Sequence, residues 1–122
     1  MITIFKNEKV RAAYQDKESK EWRSYSEQEK DALDALATII DAAQSLQDIR
    51  NIPPLHLEIL KGKLKKRKKP TGEWSVRAVG TKYRVIFIPC DENGNEKIGG
   101  DILAEARAIK IVKITEVSKH YD

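Results

Sequence analysis

Cysteine is all but missing from this chain. Cys90 is the only one in 122 residues, so no internal disulfide can form, no thiol metal-site spacing exists, and an oxidising compartment has no support. Long hydrophobic runs are missing too. No segment approaches the roughly 18 apolar residues that span a bilayer, and Lys6, Glu8, Lys9 and Arg11 interrupt the first dozen positions. Neither export nor membrane insertion is expected, and the cytoplasm is the expected setting. At this length one domain over residues 1–122 is expected, with a single core.

Charge is plentiful, and it is segregated. Residues 1–60 hold 8 Lys/Arg against 11 Asp/Glu, whereas residues 61–122 hold 15 against 8. A basic half of this kind favours association with a polyanion, and nucleic acid or the ribosome is the natural partner class. The extreme is Lys61 to Lys69, where seven of nine residues are basic and no periodicity survives. It reads as a mobile loop rather than an element.

Elsewhere the periodicities are readable. Ile2 to Phe5 reads as a short strand and Lys9 to Tyr14 as the start of a short helix, giving way to a polar stretch around Asp16 to Arg23. Ser26 followed by Glu29 is a capping box, and Leu33, Leu36, Ile39, Ile40, Ala43 and Leu46 recur at helical spacing, which predicts a helix from about Glu27 to Gln47. Pro53-Pro54 breaks it. A strand is expected from Leu55 to Leu60, with Leu55, Leu57 and Ile59 on one side and His56, Glu58 and Leu60 on the other. A last strand is expected over AIKIVKITEV, buried on both faces or bent by a bulge.

Two further strands, WSVRAV and KYRVIF, meet at Gly80-Thr81. If those two residues form a type II′ loop with Gly80 first, Trp74 falls opposite Phe87, Val76 opposite Val85 and Ala78 opposite Tyr83, all on one apolar face. Arg77 then faces Arg84 on the other. Like charges opposite one another are destabilising, so an anion or a carboxylate between them is the natural complement; the competing reading is that both are solvated or paired with structural carboxylates. Trp74 and Tyr83, on the apolar side, read as core rather than as base-stacking platforms. The whole reads as an α+β fold, with the N-terminal strand and helices packed on one face of a mostly antiparallel sheet of about four strands. The other face is left open to display the arginines.

The segments LEILKG, GEWSVRAVGTKYRVIF and EVSKHYD together resemble the RelE superfamily of bacterial toxins, and within it the HigB-like branch, over roughly residues 1–6 and 27–122. The resemblance implies a small basic ribonuclease that cuts messenger RNA in the ribosomal A site without metal or other cofactor. It also implies neutralisation by a cognate antitoxin, of helix-turn-helix type, which alone would contact operator DNA. The family's hydrophobic-Lys-Gly motif corresponds to Leu60, Lys61 and Gly62, and its two hairpin arginines to Arg77 and Arg84. The terminal residue types occur as His120, Tyr121 and Asp122, in reversed order, and Glu58 stands where such proteins often carry histidine.

Metal-free cleavage by the RNA's own 2′-hydroxyl needs a base, an acid and stabilisation of charge on the phosphoryl oxygens. Arg84, Arg77 and Lys61 suit the last duty, Glu58 or His120 the first, and His120 or Tyr121 the second. Glu58 has a competing reading as a mere partner of Lys61 or Arg84, and Tyr121 as a closure of the core. Lys63, Lys65, Lys66, Arg67, Lys68 and Lys69 suit phosphate contacts that position an RNA without reading it, against a plain solvated charge run. Two other functions compete with the ribonuclease: a ParE-like toxin that inhibits gyrase by binding, and a basic nucleic-acid-binding module without catalysis.

Overall fold

A computed structural model describes residues 1–60, 72–97 and 104–119. The element with the strongest sequence signal, α3, runs Glu27–Ala42. Glu29 N–H donates to Ser26 Oγ at 3.2 Å and Ser26 N–H donates back to Glu29 Oε1 at 2.8 Å, so the expected capping box is formed. Leu33, Leu36 and Ile40 are buried along one stripe. The helix stops earlier than its periodicity predicts. Ala43 turns extended, and Leu46 and Ile49 belong to a separate helix, α4, Leu46–Arg50. No basic side chain lies in the last turn of α3; the Met1 ammonium donates instead to the carbonyls of Ile40 and Asp41 at 3.0 and 3.2 Å, answering carbonyls a helix end leaves orphaned.

Before α3 come strand β1, Ile2–Phe5, and two helices, α1 at Glu8–Gln15 and α2 at Lys20–Arg23. Asn7 caps α1 through Val10 N–H at 2.9 Å, and Ser19 caps α2 through Trp22 N–H at 3.1 Å. The second helix falls in the stretch that reads as merely polar, because four residues are too few to show a helical period. It has a core function nonetheless. Trp22 is buried and meets Tyr25 edge-on at 5.6 Å, and Tyr25 meets Tyr83 at 5.1 Å.

The sheet has five strands, one more than the approximate count expected, in the order β1-β5-β4-β3-β2. Here β2 is Glu58–Ile59, β3 Trp74–Arg77, β4 Tyr83–Cys90 and β5 Ile111–Lys119. β1 lies parallel to β5 and the other pairs are antiparallel. The hairpin register is the expected one, with Trp74 opposite Phe87, Val76 opposite Val85 and Arg77 opposite Arg84. Its turn is not. Thr81 N–H donates to Ala78 carbonyl at 3.1 Å and Gly80 has φ +85°, so Gly80 is the second central residue of a turn over Ala78–Thr81 rather than the first of a two-residue loop. Gln28 at the start of α3 donates to Gly80 carbonyl at 3.0 Å and ties this turn to the helix layer.

The strand expected from Leu55 is also corrected. Pro53–Leu55 forms a 3-10 turn, for which proline's fixed φ is well suited, and His56 leaves it with φ 49°. Only Glu58 and Ile59 then pair with Ser75 and Trp74. In β5 a register shift opposite Ile86 and Phe87 leaves Thr115 as an extra residue, so the strand carries a bulge, one of the two alternatives expected for it.

The helices cover one face of this sheet. Leu33, Leu36 and Ile40 of α3 share a core with Trp74, Val76, Val85, Phe87, Val112 and Ile114. Each such buried side chain contributes about 1.5–3 kcal/mol of transfer free energy.

Candidate active site

On the side away from the helices, the sheet register lines up one row across four strands. Glu58 of β2 pairs with Ser75 of β3, which pairs with Ile86 of β4 and that in turn with Glu116 of β5. The next row contains Arg77, Arg84 and Ser118. Arg84 is therefore diagonal to Glu58 across β3, with the small buried Ser75 between them. Their side chains meet: Arg84 Nη1 donates to Glu58 Oε1. A charge-assisted bond of this kind fixes the guanidinium, and among the described residues its other N–H donors have no hydrogen-bond partner.

Glu58 has a second neighbour. Its Oε2 lies 3.6 Å from Nε2 of His56, an approach that is electrostatic rather than a hydrogen bond. The three groups grade from inside to outside, with side-chain exposures of 15% for Arg84, 37% for Glu58 and 58% for His56. Arg77, opposite Arg84, is exposed and makes no ion pair among the described residues. One arginine is thus held by a carboxylate, and the other has no ion-pair partner among the described residues. The repulsion expected from two facing guanidinium groups is relieved by a protein carboxylate on one of them, which leaves the exposed end of the pair open to an anion.

Of the residues nominated from sequence, the structure brings Glu58 and Arg84 into contact and sets Arg77 beside them. Lys61, His120, Tyr121 and the run Lys63, Lys65, Lys66, Arg67, Lys68 and Lys69 lie outside the described residues. Trp74 is buried, and Tyr83 packs against Tyr25 with Lys119 Nζ 5.9 Å from its ring centre, so both belong to the core side as expected. His56 was not among the nominated site residues. Its i, i+2 spacing to Glu58 was the available signal, and the proximity survives although the strand that suggested it does not form. Among the described residues no group of three His, Cys, Asp or Glu side chains is placed to hold a metal ion.

Helices on one face of a five-stranded, mostly antiparallel sheet, with an arginine–glutamate cluster on the other, define a RelE-like α+β protein. The chain belongs to the HigB-like toxin family, whose model, described as the RelE-like toxin of the type II toxin-antitoxin system HigB, matches residues 3–98. That span takes in residues 7–26, which the sequence resemblance left aside, and ends before β5. Comparison with curated proteins and with solved structures found no match. Membership makes this a type II toxin and implies a cognate antitoxin as its partner. No helix among the described residues is long and apolar enough to cross a membrane.

Proposed function

We propose that the toxin acts as a ribosome-dependent messenger-RNA endoribonuclease, cleaving by attack of the 2′-hydroxyl on the adjacent phosphorus without a metal. The observation that carries this reading is the arginine pair: Arg84 oriented by Glu58, and Arg77 opposite it, exposed and without an ion pair among the described residues. Negative charge gathers on the non-bridging oxygens as the phosphorane forms. A guanidinium already fixed in place stabilises that charge without reorganising during the reaction. Arg77 adds a second fork for the same phosphate.

The reading assigns sequence-independent affinity to the lysine-rich run of residues 63–69 and keeps Lys61, His120 and Tyr121 as further members of the site on the strength of the family motif. The ribosome would present the message, so no base-reading contacts are required of the toxin. The test is to add wild-type protein and Arg84→Ala to a translation extract and map message ends. Cuts inside translated codons that vanish with the variant support the proposal. Intact messages together with arrested DNA supercoiling would favour the gyrase reading instead.

A further inference from the structure

We infer that the α-amino group of Met1 is a modification site on which the fold depends: as a free ammonium it ties the edge of the sheet to the end of α3, and as an acyl amide it cannot. The inference does not draw on the ribonuclease reading. It starts from the C-terminal end of α3, where the last bond of the helical ladder runs from Ala43 N–H to Ile39 carbonyl at 3.0 Å. The carbonyls beyond that bond need partners from outside the helix. The Met1 ammonium donates to the carbonyls of Ile40 and Asp41 at 3.0 and 3.2 Å, and also to that of Ala43. Three N–H groups thus meet three carbonyls. The positive charge also sits at the negative end of the helix dipole, where the last turn of α3 has no basic side chain of its own.

Met1 is held from the sheet side as well. Ile2 N–H donates to Lys110 carbonyl at 2.9 Å at the start of the β1–β5 ladder, and the Met1 side chain packs against the core. One residue therefore joins the edge strand to the main helix.

An amide nitrogen cannot take over this duty. It has one N–H where the ammonium has three, it carries no charge, and it brings an acyl carbon into the space through which a hydrogen bond now runs. A chain started at this methionine with N-formylmethionine, as bacterial synthesis starts chains, carries such an amide until it is hydrolysed. Water adds to the formyl carbon, the C–N bond breaks, formate leaves, and the amine takes up the proton that makes it an ammonium. Deformylation is then the step that completes the fold of this toxin.

The test compares the full chain bearing a free Met1 amine with the same chain still formylated, made by cell-free synthesis with deformylation blocked. The formylated chain should have a thermal midpoint lower by about 5 °C or more, the shift expected when charge-assisted bonds are lost from a domain of this size. Treating that sample with a peptide deformylase should return it to the midpoint of the free chain. The same treatment decides the case in which the formylated chain does not fold at all, since removal of the formyl group should then restore a cooperative transition. Equal midpoints for the two chains, or a deficit that persists after the formyl group is removed, would overturn the inference. Neither outcome touches the ribonuclease reading, which is tested by cleavage and not by melting.

Discussion

Trp74, Val76, Val85 and Phe87 on one face of the β3–β4 hairpin are shut beneath the helices, while Arg77 and Arg84, set opposite one another on its reverse, face a carboxylate and open surroundings. The same four-residue ladder positions both sets. On the helix side, free energy comes from apolar area removed from water, which is non-directional and tolerant of small shifts. On the other side it comes from the placement of charges, where a fraction of an ångström and the identity of the neighbouring carboxylate decide the outcome. The contrast teaches that the buried apolar core and the proposed site are separated by the thickness of one sheet.

The separation can be challenged by substitution. Phe87→Ala should have the largest effect, destabilising by about 3–5 kcal/mol in urea unfolding through lost burial and a cavity under α3, while cleavage per folded molecule stays near wild type. A loss of cleavage in the folded fraction would show that the two faces are coupled.

Alkaline unfolding gives an intermediate effect. Burial first, and then the neighbouring Tyr83, push the Tyr25 hydroxyl up to about 12, while the unfolded chain titrates near 10. The folded state therefore keeps a proton that the unfolded state has lost, so this contribution is intact below pH 10 and disappears as the pH rises from there to about 12. Tyr25→Phe should remove up to about 2 kcal/mol of that alkaline loss, at the cost of its hydrogen bond to Ala13 carbonyl. An unchanged alkaline limb would place the titration elsewhere.

The smallest stability effect belongs to the polar face. Arg77→Ala should shift unfolding by less than about 0.5 kcal/mol, as for other exposed side chains, while reducing cleavage. A stability change of the Phe87 class would mean that Arg77 is structural.

How much of this was legible in the sequence depends on the range of the interactions. The capping box at Ser26 and Glu29 and the hairpin register are local, and both were readable. The end of α3 was not, because the group that meets its carbonyls is the Met1 ammonium, about forty positions away along the chain. β2 was over-read because Leu55, Leu57 and Ile59 alternate as a strand would, whereas the prolines before them impose a 3-10 turn and only Leu55 of the three is buried. At the site, residue types and opposition could be inferred for Arg77 and Arg84. Which of the two holds the carboxylate depends on how β2 crosses to β3, and that is a tertiary fact. His56 was visible as a neighbour of Glu58, but its left-handed backbone was not.

The most direct test measures cleavage rate and unfolding free energy together for Arg84→Ala and Val76→Ala. Arg84→Ala is predicted to lose roughly 100- to 1,000-fold in rate while its stability stays within about 1 kcal/mol of wild type, because Glu58 keeps access to water once the partner is gone. Val76→Ala is predicted to do the reverse, keeping its rate per folded molecule and losing a few kcal/mol, roughly the value of a buried aliphatic side chain. If Arg84→Ala instead unfolds the protein, or cleaves at the wild-type rate while folded, the arginine pair is part of the scaffold and the assignment of this face to catalysis is wrong.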